Sequence, residues 1–224
     1  MDIRFLGHAA FELSDGDTTV LIDPFLTGNP QAAVQASELN PTTILLTHGH
    51  FDHVGDTVDI AKRAGAPVFA TTELANELGE EGIEVINANY GGTHEFEWGS
   101  AKLVPAWHDS VTPKGAHNSP AGVVVEFGGV VVYHLGDTCL FSDLQLVGRT
   151  KPVDVALIPI GGHFTMDRHD AVTAADFVGA KTIIPCHYNT FPLIETDANA
   201  FATDLDTILD ATAVVLEPGA AHRA

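Results

Sequence analysis

The chain has 224 residues, 45% of them hydrophobic, enough to bury a full core as one large unit or two small ones. Ten Lys and Arg against thirty Asp and Glu give a formal net charge of -20, a balance that repels nucleic acid and anionic membranes at low salt. No apolar run reaches the length of a membrane span and residues 1–5 lack the basic head and apolar body of a signal peptide, so a cytoplasmic protein with no membrane partner is expected.

The two cysteines, Cys139 and Cys186, are too few for a disulfide framework, and small buried thiols are expected of both. The five lysines and the scattered acidic residues also match proteins of very salty cytoplasms. There the Debye length is about 3 Å at 1 M salt, and repulsion between surface carboxylates costs little. Ordinary acidic solubility accounts for the same composition. With no linker or low-complexity stretch, residues 1–224 are expected to form one domain.

In chain order, residues 3–6, 10–13 and 18–22 alternate as short strands broken at Asp15-Gly16-Asp17, and a short helix is predicted over 31–38. The apolar run 42–46 reads as a buried strand that delivers Thr47-His48-Gly49-His50-Phe51-Asp52-His53. Asp52 and His53 are expected on the following loop, ahead of a helix over 54–64 stopped by Gly65 and Pro67. Residues 67–70 read as a strand, and Thr72 as the cap of a short helix over 73–79. Strands are predicted over 83–86, 93–97 and 102–106, ending at Trp107-His108, followed by a Gly- and Pro-containing loop over 109–120 and a hairpin over 122–134 that runs into Gly136-Asp137-Thr138. Helices over 141–147, 171–178 and 200–209 then alternate with strands over 153–159, 182–185 and 213–216. Two β-rich blocks, each followed by helices, predict two sheets packed face to face with helices outside and strand ends meeting along one edge.

Three imidazoles and a carboxylate at the spacing His-x-His-x-Asp-His are the ligand types a borderline metal such as zinc takes at neutral pH. Their density over two local directions points to two ions. A His-rich surface loop is the bland alternative. His48, His50, His108, Asp137 and His187 all fall at predicted strand ends, where a side chain is held in direction while its tip stays open. His94, His169 and His222 lack that placement and are read as surface residues.

The His48 to His53 signature resembles that of the metallo-β-lactamase superfamily. A closer resemblance is to a family of small uncharacterised metal-dependent hydrolases similar to the ascorbate-6-phosphate lactonase branch. It is carried by Gly7-His8-Ala9, Asp23-Pro24-Phe25-Leu26-Thr27-Gly28, Leu46-Thr47-His48-Gly49-His50, Asp52-His53-Val54-Gly55-Asp56-Thr57, Gly136-Asp137-Thr138, Phe141-Ser142-Asp143, Pro159-Ile160-Gly161, Phe164-Thr165-Met166 and His187-Tyr188-Asn189-Thr190-Phe191-Pro192. The resemblance implies an α/β architecture, an αββα sandwich of two sheets flanked by helices. It also implies a dinuclear site of two divalent ions, zinc first with manganese or iron as alternatives. His48, His50 and His108 would hold one ion, Asp52, His53 and His187 the other, and Asp137 would bridge both. Ions about 3.5–4 Å apart need such a shared anionic oxygen.

A metal-bound hydroxide attacking a small ester, lactone or phosphoester is the implied chemistry, with an anionic or carbonyl-bearing substrate drawn to the positive centre. Asp52 either orients the attacking water as a catalytic group or serves only as a ligand. Asp23 is expected to support a ligand histidine, or else to cap a turn before Pro24. His8, Tyr188 and Asn189 are candidate substrate-binding residues, with structural roles as alternatives for His8 and Asn189. His163 stands where the family usually carries an amide and is either a substrate contact or a neutral replacement. A nuclease of the same superfamily and a non-catalytic metal-binding protein are the competing functions, and a homo-oligomer is compatible with the sequence.

Overall fold

The computed structural model describes residues 1–224. Strands β1 (Asp2–Gly7), β2 (Ala10–Asp15), β3 (Thr18–Ile22), β4 (Thr43–Leu45), β5 (Val68–Thr71) and β6 (Val85–Ala88) lie side by side in that order. The C-terminal strand, β14 (Ala221–Arg223), completes the sheet against β1, pairing Ile3 with His222. The second sheet runs from β7 (Thr93–Phe96) through β8 (Gly99–Pro105), β9 (Ala121–Phe127), β10 (Val130–His134), β11 (Val155–Pro159) and β12 (Thr182–Cys186) to β13 (Thr212–Ala213). Each sheet starts with antiparallel hairpins and switches to parallel pairing, at β3 with β4 and at β10 with β11.

Alternation along the strands builds three apolar layers. Ile3, Phe5, Phe11 and Ile22 meet Leu103, Val123, Val132 and Leu157 between the sheets. The opposite faces of β3 to β5, through Leu21, Ile44 and Val68, pack on α2 (Thr57–Ala64) and α3 (Thr72–Gly79). Tyr133, Ala156, Ile158 and Ile183 pack in the same way on α4 (Leu144–Thr150), α5 (Arg168–Val178) and α6 (Ala198–Ile208). Parallel strands covered on both faces have no polar side, so β4 and β11 read as continuous apolar runs. Asp167 and Asp197 cap α5 and α6, each accepting from two backbone N–H groups. The result is the expected αββα sandwich.

Several local expectations are corrected. The helix over 54–64 is two helices, α1 (Phe51–Val54) and α2, so Asp52 and His53 sit in a helical turn rather than a loop. Gly55 between them has φ +40°, and a Cβ there would meet the Pro24 carbonyl and the Phe25 backbone. That close approach, invisible in helical periodicity, divides the segment. Only Ala36–Glu38 of 31–38 is helical, as a 3-10 turn. The helix expected over 141–147 begins three residues later at Leu144, after Asp143. Thr72 is the first residue of α3, and its hydroxyl donates to the Ala88 carbonyl instead of capping. Residues 214–216 lie outside the last parallel strand. Cys186 is buried and its thiol pKa is pushed well up by burial, whereas Cys139 is exposed.

Candidate metal centre

The donors sit on segments that leave carboxyl ends of strands: Asp23 after β3, His48 and His50 after β4, His108 after β8, Asp137 after β10 and His187 directly after β12. The one-turn helix α1 adds Asp52 and His53. Donor atoms of His48, His50 and His108 lie within 4.8 Å of one another, as do those of His8, Asp52, His53 and His187, and those of His48, His53 and Asp137. Asp137 Oδ1 is 3.3 Å from His53 Nε2, and its Oδ2 is 3.1 Å from His187 Nε2 and 3.5 Å from His108 Nε2. One carboxylate from the second half of the chain therefore touches both groups of imidazoles.

Hydrogen bonds fix which ring nitrogens face inward. Asp23, fully buried, accepts from Thr47 N at 2.9 Å, Thr47 Oγ1 at 2.6 Å and His53 Nδ1 at 2.7 Å. Because the Thr47 hydroxyl spends its proton on Asp23, it accepts from His48 Nδ1 at 3.0 Å. Both rings are left with Nε2 free to bind. His48 Nε2 lies 3.0 Å from His50 Nδ1, so these two nitrogens converge on one point. The Gly49 N–H between them donates to Ser110 Oγ at 3.1 Å.

Burial pushes the His48 pKa well down, with neighbouring His53 adding to the effect, so its imidazole is neutral and available as a ligand. Burial acts the same way on His53, yet the Asp137 and Asp23 carboxylates outweigh it and hold the pKa well above the ordinary value. Burial raises the Asp52 carboxyl, and the His8 hydrogen bond and nearby His53 outweigh it, leaving it below the usual carboxylate range. Burial, reinforced by His187, lowers His8 to about 4. Neutral His8 then donates from Nε2 to Asp52 Oδ2 at 3.2 Å and accepts at Nδ1 from Thr190 Oγ1 at 2.8 Å. The structure thus sets His8 against a carboxylate and a threonine, with its ring fully buried.

Tyr188 and Asn189, candidate substrate contacts, have structural surroundings, the alternative already open for Asn189. Tyr188 packs into the apolar layer between the second sheet and its helices, where burial pushes its phenol up to about 12. Asn189 accepts from Thr196 N at 2.8 Å through its side chain, while its own N–H donates to the Ile194 carbonyl, which makes it a turn residue. His163 is exposed, with its ring edge-on to Phe164 at 4.5 Å. His8, Asp23, His163, His187 and Asn189 are the non-glycine residues with positive φ. Three of them belong to the cluster, where packing on every side sustains a backbone conformation that costs energy. The sequence reading assigned no role to Thr47 or Thr190. Their positions beside His48 and three residues past His187 are the available signal.

His53 Nε2, Asp137 Oδ1 and both nitrogens of His187 are buried without hydrogen-bond partners. Buried polar atoms are nearly always paired. Four such atoms among convergent imidazoles and carboxylates fit divalent cations, which would take the lone pairs left over.

The chain is similar to known proteins over most of its length. A family described as "Beta-lactamase superfamily domain" matches residues 2–187. A "UPF0173 metal-dependent hydrolase" of Thermus thermophilus is 49% identical over 203 residues, 90% of each chain. Another, from Oenococcus oeni, is 47% identical over 216 residues, 92% of this chain and 94% of its own. The structure of Igni18, described as a metallo hydrolase of the archaeon Ignicoccus hospitalis, superposes over 99% of this chain and 97% of its own, with TM-score 0.90 and 33% identity.

Proposed function

We propose, from the premise that this chain belongs to the β-lactamase superfamily domain family and is a metal-dependent hydrolase of the UPF0173 kind, that it cleaves small carboxylic esters, lactones or phosphoesters at a two-ion centre. The sandwich is the metallo-β-lactamase fold. In this reading His48, His50 and His108 would hold one ion, Asp52, His53 and His187 the other, and Asp137 would serve both. Zinc suits the imidazole-rich donor set, with manganese and iron as alternatives. The observation that carries the reading is Asp137, whose two oxygens face His53 on one side and His187 and His108 on the other.

Bound ions would lower the pKa of a coordinated water to about 7 and polarise a carbonyl or phosphoryl oxygen. The chain's own residues do the rest. Asp23 and Thr47 lock the rings of His53 and His48, so neither of these imidazoles must reorient during turnover. Asp52, held by His8, whose ring Thr190 fixes in turn, accepts the proton of the attacking water and returns it to the departing oxygen. Water is consumed and the acyl C–O or P–O bond breaks, giving an acid and an alcohol, or one hydroxy acid from a lactone. His163, at the exposed rim, contacts the substrate beyond the reacting bond.

A screen of metal-reconstituted protein against lactones, aryl esters and phosphoesters tests this reading. Turnover abolished by chelator and restored by metal is expected, and His163→Asn should change the ranking of substrates more than the metal content. No turnover of any class by fully loaded protein would leave a non-catalytic metal-binding protein.

A further inference from the structure

The large hydrophobic side chains left exposed are not scattered. Of the seven, Phe51, Trp107, Val111 and Leu193 come from segments that carry metal donors, and Phe164 from the neighbouring segment after β11. Phe51 stands between His50 and Asp52, 70% exposed, and Trp107 precedes His108, 66% exposed. Val111 lies on the loop packed against Gly49. Phe164 lies beyond Ile160, whose N–H donates to the Cys186 carbonyl next to His187. Leu193 follows His187 in the 3-10 turn Pro192–Ile194. Behind Phe51, the rings of Phe25 and Phe191 continue the wall at centroid distances of 5.8 and 6.4 Å and reach His8 at 5.7 and 5.5 Å. A cavity of about 600 Å³ opens from His50 between Phe51, Val54, Val58, Val111 and Pro113.

The charges around this mouth complete the picture. Seven of the ten lysines and arginines are paired with carboxylates. They include Lys114, the one cation lining the cavity, whose Nζ is 2.7 Å from Glu80. Arg63 is spent on the carbonyls of Ala36 and Leu39, and Lys102 and Arg149 lie on β8 and α4. An anionic group on the unreactive part of a substrate would find no free cation at the rim. An apolar arm would find aromatic and aliphatic walls already in place.

Resting on the hydrolase reading above, we infer that the collar and the cavity behind His50 bind the hydrocarbon or aromatic arm of an uncharged ester or lactone, which makes such molecules the substrate class in preference to phosphorylated, sugar-like anions. The driving force is burial of the arm, about a fourfold gain in affinity per fully buried methylene.

The test is binding of unreactive carbonyl compounds to metal-loaded protein: a 2-alkanone series from butanone to decanone, followed by Trp107 fluorescence. Affinity is expected to rise about threefold to fourfold per added methylene until the cavity is filled, and the slope should fall by at least half in Phe51→Ser/Val111→Ser. A flat series, or an equal slope in the variant, overturns the inference. So does light scattering that finds a dimer dispersed by the same substitutions alongside a flat series, because the collar would then serve a second copy of the chain. p-Nitrophenyl esters from acetate to octanoate, run in parallel, separate the two readings. Chain-length-dependent binding without turnover would sink the hydrolase reading and leave the collar. Turnover indifferent to chain length and flat binding would do the reverse.

Discussion

Asp23 takes three hydrogen bonds on two oxygens and through them orients two imidazoles, so its loss should act on the metal without touching it. Asp23→Ala is expected to weaken zinc affinity about 10- to 100-fold, measured by chelator competition, and an unchanged affinity would reduce Asp23 to a backbone brace. Most donors were legible because their residue types are specific and their strand-end positions fix their direction. Tyr188 joins the layer of Ile183 rather than that of Cys186 because the left-handed backbone at His187, φ +54°, breaks the alternation of β12, a turn that residue types do not announce. The supporting hydroxyls of Thr47 and Thr190 were silent for a different reason. Threonine is common in strands and turns, and only three-dimensional proximity to Asp23 and His8 gives these two a role.

Among the elements, the turn between β4 and α1 is closely packed. A Cβ at Gly49 would lie 2.5 Å from the Val111 carbonyl and 2.8 Å from Asn118 Oδ1. Gly49→Ala should therefore push the 109–118 loop away or displace His48 and His50, costing about 1–3 kcal/mol of stability and lowering metal occupancy. Calorimetry of the apo and loaded forms checks both, and wild-type values in each would show that the loop yields freely. Strands buried on both faces were plain in the sequence as apolar runs, and helices with one apolar face nearly so. Bounds failed where the cause is tertiary: Gly55 splits a periodic helix by approaching the Phe25 backbone, and β14 exists because β1 has an open edge to pair. Three residues, Ala221–Arg223, carry too little pattern to announce a strand.

For the whole molecule, a net charge of -20 is spread over a sandwich that gathers six of its twelve imidazoles with Asp23, Asp52 and Asp137 at one edge. If the acidic surface is matched to high salt, the apo melting temperature should rise between 0.1 M and 1 M sodium chloride as the Debye length shrinks from about 10 to about 3 Å. A flat or falling melting temperature would assign the charge to solubility alone. The sandwich also explains why the site needs both halves of the chain: residues 8–53 bring one set of donors, and Asp137 and His187 come from the other sheet. The most direct measurement of that convergence is metal content per chain, by elemental analysis and native mass spectrometry, in wild type and Asp137→Ala. Two ions in the wild type and at most one in the folded variant are expected; a single ion in the wild type, or two retained without Asp137, would contradict the shared centre.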